Sequence, residues 1–478
     1  MPSSIELNIG RMPSPRRQRG EGDDGSAPFR VLVLGDFSGR LAAERPPLGE
    51  RRPVRVDIDN LDAVFARLAP TARIAGLQDK LGVDLRIVLE TIDEFSADAL
   101  LARLPAHAAP APSAAPAAAP DAEDADDTLR RLLGGSVPDT APARAGLPAA
   151  AKADDAVDRF IRQLVGAAPV AAAVPAAANA GPDERSAALL RQVLRDPRWR
   201  ALEGAWRAVD RFVRTLDMAS GHVRLELLDC RADELLADLV ACGGDAARSA
   251  LQPALAGDGR GCDVVVSLEE FGPGMTELSL LGGLAAAAAA HGAVLLAGAA
   301  PALAAVAASD DAEVRATPQS RVWQALRASA VAAHLGLTFP RLLARLPYGP
   351  RTEPVSAFPF DELADAPAGI PHDHLLWRSA ALDAALLLAQ GVDDDGGDAG
   401  VESVVALDDL PGFIDRSGDE PRLQAVAEMY LGEHDAGVLQ AAGLLTLQSD
   451  RRVPAARLTA WRSIAADGAG LAGSWRRQ

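Results

Sequence analysis

Residues 106–180 constrain this chain more than any other stretch. They are dominated by alanine and proline, as in His107-Ala108-Ala109-Pro110-Ala111-Pro112 and again from Val170 to Ala180. Side chains this small bury little apolar area and repeated prolines withhold backbone donors, so the stretch predicts an extended, semi-rigid tether rather than a core. The chain is thereby divided into a flexible N-terminus over 1–27, an α/β domain over 28–105, the tether over 106–180 and a second α/β domain over 181–478. A length of 478 residues suits two or three domains with a sizeable core. Inside the tether, Asp127 to Leu133 reads as a short amphipathic helix. Asp154 to Val165 sets Val157, Phe160, Ile161, Leu164 and Val165 on one face, the pattern of a docking helix or of one that packs back on its own domain.

Charge narrows the function classes. The 66 acidic residues outnumber the 48 basic ones, for a net charge of −18. Nucleic acid is therefore not an expected partner, because phosphate binding requires a basic face. Only two of the basic residues, Lys80 and Lys152, are lysines. Cys230, Cys242 and Cys262 are odd in number and form no CxxC pair, which supports neither a disulfide framework nor a zinc site and suits a reduced cytoplasm. The first 28 residues hold no apolar core of the signal-peptide kind. The longest apolar run, Leu278 to Ala290, is interrupted by Gly282-Gly283 and is shorter than the roughly 20 residues a bilayer requires. The expectation is a cytoplasmic protein with no membrane insertion.

Both flanks of the tether carry α/β signals. Phe29 to Leu34 predicts a buried strand that leaves into the glycine-rich turn Gly35-Asp36-Phe37-Ser38-Gly39-Arg40. This is not a Walker loop, since only three residues separate the glycines and an arginine follows. Leu85 to Leu89 alternates like a strand. Beyond the tether, Asp196-Pro197 is a sensible helix start, with an acidic cap and a proline in the first turn. Trp199, Leu202, Trp206, Val209 and Val213 then recur at spacings of three and four, a core stripe. Val223 to Leu228 predicts a strand, and Asp233 to Leu239 a helix. Cys262 to Leu268, a helix ending near Ala290 and Ala293 to Ala297 form a strand-helix-strand unit of the parallel-sheet kind. Gly272-Pro273-Gly274 lacks the third glycine of a dinucleotide fingerprint, and the second strand ends in Gly298-Ala299 without an acidic ribose ligand.

Catalytic and metal constellations are weak. His372 and His374 flank Asp373, but a metal needs a third ligand that spacing does not locate. Asp393-Asp394-Asp395 with Asp398 lacks the spaced ligands of a calcium loop and reads as a solvated acidic loop. Neither GxSxG nor HExxH occurs.

Between Leu335 and Trp377 the chain is more distinctive. Pro340 and Pro347 bracket barely two helical turns. Within them Leu342, Leu343 and Leu346 recur at helical spacing, and Arg341 and Arg345 sit four apart on the other face. That predicts either a rigid, two-faced plug or an ordinary helix-loop segment with solvated arginines. The wording of Leu337 to Gly349, of Phe358-Pro359-Phe360-Asp361-Glu362 and of Leu375-Leu376-Trp377 resembles the large subunit of the type VI secretion contractile sheath. Leu189 to Arg207 closely resembles a signature stretch of that subunit, with Leu202-Glu203 and Trp206-Arg207 carrying the likeness, and Asp154 to Val165 resembles the helix just ahead of that subunit's body. Residues 28–105 resemble the start of the small sheath subunit, through Pro28 to Arg40, Arg52-Pro53-Val54, Ile58 to Val64 and Ile92 to Leu100. The likeness departs at Arg378-Ser379 and over Gly391 to Ala399, where an acidic loop replaces a glycine-rich run, and the large-subunit segment reads as C-terminally shortened.

The resemblance implies a mixed α/β fold and a fused protomer of a contractile sheath, a structural protein without catalytic site or cofactor. It implies candidate assembly and packing residues at Trp199, Leu202, Trp206, Arg341, Arg345, Pro347, Tyr348, Phe360 and Trp377. Implied partners are copies of itself or other sheath subunits, an inner-tube protein, baseplate components and a recycling AAA+ ATPase. The second reading is an accessory sheath relative that caps, nucleates or regulates assembly without polymerising.

Overall fold

The computed structural model describes residues 28–74, 85–104, 182–365, 372–395, 402, 404–415 and 422–475. The two helices expected inside the tether lie outside the described residues. Strands are numbered β1 (Phe29–Gly35), β2 (Val54–Val56), β3 (Thr71–Ile74), β4 (Leu85–Val88), β5 (Val223–Asp229), β6 (Val264–Phe271), β7 (Val294–Ala299) and β8 (Leu335–Phe339), followed by β9 (Leu342–Leu343), β10 (Trp377–Arg378), β11 (Ala406–Leu407), β12 (Ile414–Asp415), β13 (Arg422–Leu423), β14 (Leu444–Ser449) and β15 (Ala456–Leu458). The helices that matter here are α1 (Leu61–Leu68), α2 (Ala97–Arg103), α3 (Pro182–Leu194), α4 (Pro197–Thr215), α5 (Ala232–Ala241), α6 (Met275–Ala289), α7 (Pro318–Arg327), α8 (Ala381–Asp395) and α9 (Glu433–Ala441).

Nine strands form one sheet in the order β11-β15-β14-β8-β7-β6-β1-β5-β2. From β14 to β5 every neighbour is parallel, and β2, β15 and β11 finish the edges antiparallel. The period of two along β1 explains the layers. Val31 and Val33 join the apolar cluster that includes Trp199, Trp206 and the residues of α8, whereas Leu32 and Leu34 join the cluster with Leu235, Leu239 and Leu281. Helices therefore cover both faces. Ala381 to Ala389 of α8 are all buried, as expected of a helix that is apolar on every side.

The position of β1 is the main departure from the sequence-based division. Residues 28–105, expected as a domain of their own, place β1 between β5 and β6 of the later segment, with Val31 opposite both Leu225 and Val264. A strand buried on both faces and paired on both edges cannot be lifted out without exposing all of them, so the two segments share one core.

Two local expectations also fail. Residues 340–347 form no helix. Leu342 and Leu343 pair with Arg378 and Trp377, the Leu343 amide donates to the Val426 carbonyl and the Arg341 carbonyl accepts from the Glu428 amide. Backbone groups taken by neighbouring strands are not left for a helical turn, and Pro340 and Pro347 have no amide to offer. Asp393 to Asp395 belong to the last turn of α8 rather than to a loop, and Asp393 accepts from Ser220 and meets His222.

Candidate functional site

Seven of the nine residues that the sequence singled out lie at a buried junction where the N-terminal segment meets α4 and the 340–365 segment. Construction begins with α4. Asp196 caps it by accepting from the amides of Arg198 and Trp199, and Pro197 occupies its first turn. Trp199 and Trp206 lie seven residues apart, two turns on, and so share a face.

That face meets three phenylalanines from the N-terminal segment. Phe37 follows β1, Phe65 lies on α1 and Phe95 closes a 3-10 turn. Trp206 sits 4.6 Å from Phe65 and 5.6 Å from Phe37, and Trp199 lies 5.3 Å from Phe95, ring centre to ring centre. All five rings are fully buried. Aromatic pairs in tilted and edge-on arrangements contribute about 0.5–1.5 kcal/mol each beyond their burial. The Trp206 Nε1–H also donates to the Phe37 carbonyl at 2.9 Å.

Beneath the aromatic cluster lies a charge network. Glu203 accepts from Trp199 Nε1 at 3.1 Å, from Arg207 Nε at 2.8 Å and from Arg345 Nε at 2.8 Å. Arg345 also donates to both oxygens of Glu362, at 2.7 and 3.1 Å, and lies 4.2 Å above the Tyr348 ring. The Tyr348 hydroxyl donates to the Phe95 carbonyl at 3.2 Å, and the Ser356 amide donates to Asp98 of α2 at 2.9 Å. Burial alone would push the Glu203 carboxyl up, but Arg345 and Arg207 outweigh it and hold it below its ordinary value. Burial works against the Arg345 charge too, yet Glu203 and Glu362 raise it well above the usual arginine value.

Three more of the sequence-chosen residues pack around this centre. Leu202 and Pro347 are buried beside it, and Phe360 lies under the Arg191 guanidinium at 5.3 Å. Arg341 and Trp377 form a separate cluster. Arg341 clamps Glu428 through two bonds of 2.7 Å, His372 reaches Glu428 at 2.6 Å, and His372 stacks on Trp377 at 5.5 Å. His372 and His374 share no metal-binding group, and among the described residues no His, Cys, Asp and Glu cluster fits an ion. Of the two readings of the 340–347 segment, the solvated one does not hold for Arg345, which is buried. The sequence missed Phe37, Phe65 and Phe95, and gave Glu203 no role of its own. One signal existed for Glu203: a carboxylate four residues from both Trp199 and Arg207, inside an apolar stripe.

A second set of ties joins the same segments around β1. Arg30 pairs with Glu226 at 2.6 Å and donates to the Ala254 and Leu255 carbonyls at 2.7 and 3.0 Å. Arg45 and Arg51 both reach Glu234, at 3.1 and 2.6 Å. In the glycine-rich turn, the amides of Phe37 and Ser38 donate to Asp229 at 2.9 and 3.0 Å, and that of Gly39 to Asp36 at 2.7 Å. Carboxylates hold the donors that a phosphate would need.

Residues 180–465 match the family described as EvpB/VC_A0108, tail sheath N-terminal domain, over more than half of the chain. The chain belongs to the type VI secretion tail-sheath family. Residues 18–108 of this sheath chain also match the family described as type VI secretion system, VipA, VC_A0107 or Hcp2, so both segments of the shared sheet have a family counterpart. A curated relative, the type VI secretion system sheath protein TssC1 of Pseudomonas aeruginosa, is 43% identical over 65 residues. That alignment spans 14% of the sheath chain and 12% of the relative. No described helix of the sheath chain is long and apolar enough to cross a membrane.

Proposed function

We propose that this chain is a fused sheath protomer of a type VI secretion apparatus, a structural unit that polymerises with its own copies around an inner tube. The observation that carries the reading is β1, a strand from the VipA-like stretch seated inside the sheet of the tail-sheath-like stretch. Two polypeptides that must share a core gain from being one chain, because covalent linkage fixes their ratio at one to one and raises the effective concentration of each half at the other.

The role is mechanical. The strongest buried charges are neutralised against one another, Arg345 by Glu203 and Glu362 and Arg378 by Asp383, an arrangement that fixes geometry. Contraction is then a rearrangement between rigid protomers. Contacts with tube and baseplate components, and with an AAA+ ATPase that recycles the contracted form, belong to the same proposal, as does residence in the cytoplasm.

Negative-stain electron microscopy of the purified full chain, alone and mixed with candidate tube protein, tests it. Tubules or stacked rings are expected. Discrete particles of one or a few copies in every mixture would overturn the polymerising role.

A further inference from the structure

At the carboxyl ends of β1 and β6 a cleft opens between the sheet and α4. The crossing from β1 to β5 runs through α4 on one face, and that from β5 to β6 through α5 on the other. Chain leaving in opposite directions on either side of β1 produces a crevice, the place where open α/β sheets take ligands. Here the crevice holds a cavity of about 470 Å³ and a second of about 580 Å³. Asp36, Pro197, Ala201 and Glu269 line both, so the two join at a neck walled by two carboxylates.

Charge in the crevice is unbalanced at that neck. Of the arginines lining the first cavity, Arg195 pairs with Asp365, Arg341 with Glu428 and Arg378 with Asp383. Arg200 lines the first cavity alone and donates to the carbonyls of Asp373 and Leu375. Asp36 is held by Arg45 and Arg231. Glu269 forms no ion pair among the described residues. Glu270, on the wall of the first cavity, has both carboxyl oxygens out of contact with solvent and without a hydrogen-bond donor. It lies against Gly298, where a β-carbon would overlap its carboxyl, and Ser379 stands beside it without reaching hydrogen-bond geometry. A buried carboxyl with no partner is costly unless something compensates its charge.

We propose that this crevice binds an organic cation, the guanidinium or ammonium of a basic side chain or small amine, with Glu269 at the neck as counter-ion and Glu270 beneath it. Burial pushes all three carboxyls, those of Asp36, Glu269 and Glu270, above the ordinary carboxylate range, and a bound cation would draw them back down. Arg200 in the first cavity and Arg198 in the second also lack an ion pair among the described residues, so the cation is assigned to the neck, where the turn amides that an anion would need are already donated to Asp229 and Asp36.

Isothermal titration of the full chain at low salt, with agmatine and separately with the peptide acetyl-Gly-Arg-Gly-amide, tests the site. Saturable binding at pH 8 is expected, weakened more than about tenfold in Glu269→Gln and again on lowering the pH to 6. Binding of both probes, or of agmatine alone, supports the site with a small cation as its ligand; binding of the peptide alone supports it with a partner's basic segment as its ligand. Circular dichroism establishes that the variant is folded, and Asp310→Asn, a fully exposed site elsewhere, is expected to bind like the parent. Absence of saturable binding to the folded parent chain, or equal binding by Glu269→Gln, would overturn the proposal.

Discussion

Trp206 donates its indole N–H to the carbonyl of Phe37 at 2.9 Å, across 169 positions of sequence and across the boundary between the two sheath-like segments. Trp206→Phe keeps most of the ring and removes the donor, leaving the Phe37 carbonyl buried without its partner. A loss of about 1–3 kcal/mol is expected. Urea denaturation followed by tryptophan fluorescence measures it, and an unchanged midpoint would show that the bond adds nothing to the joint core.

Arg345 is the centre of the charge network, and its removal is expected to cost more. Arg345→Met leaves Glu362 without a counter-ion, held only by the Tyr348 amide, and Glu203 with Arg207 as its one cation, for a destabilisation of about 3–5 kcal/mol. Adding Glu203→Gln and Glu362→Gln in the same chain is expected to recover part of that loss, because the buried charges disappear with their partner. A triple variant no more stable than Arg345→Met would place the cost in packing against Tyr348 instead.

Glu270 predicts a pH dependence of definite sign. Burial raises its carboxyl from 4.5 to about 7 in the folded chain. Between those values the folded state keeps a proton that the unfolded state has lost, so this group's contribution to stability is greatest below 4.5 and falls as the pH rises through 7. Glu270→Gln is therefore expected to be the more stable protein at pH 8, by up to about 3 kcal/mol, with the gap closing towards pH 4.5. Paired melting curves across that range decide the matter. A gap that widened on acidification would mean that the carboxylate is stabilised in the fold.

Asp196 offers a smaller, local test. Its Oδ1 accepts from two amides at the start of α4, at 2.9 and 3.3 Å. Asp196→Ala is expected to cost about 1 kcal/mol, and Asp196→Ser to retain most of the stability, since serine also caps. Thermal denaturation of the two variants separates a capping role from a charge effect, in which serine would behave like alanine.

Much of the local structure was legible in the chain. The cap and proline at Asp196-Pro197, the stripe from Trp199 to Val213 and the alternation in Val223 to Leu228 each lie within one element, where a short window of sequence contains the physical cause. The candidate site was legible only in part. Trp199, Trp206, Arg345 and Tyr348 stood out as candidate packing residues, yet the helix expected between Pro340 and Pro347 is absent, because spacing between two prolines carries no information about the neighbouring segments that claim their backbone.

By itself the sequence determined that an alanine-proline tether separates two α/β segments, that both resemble sheath subunits, and which positions of each element are apolar. Only the tertiary structure decided that these segments are one body. Periodicity says which face of an element must be covered and is silent on what covers it, so neither the insertion of β1 between β5 and β6 nor the Glu203–Arg345 bond, 142 positions apart, could be read from the chain. Those choices rest on burial and charge compensation between distant residues, which exist only once the sheet has closed around its central strand.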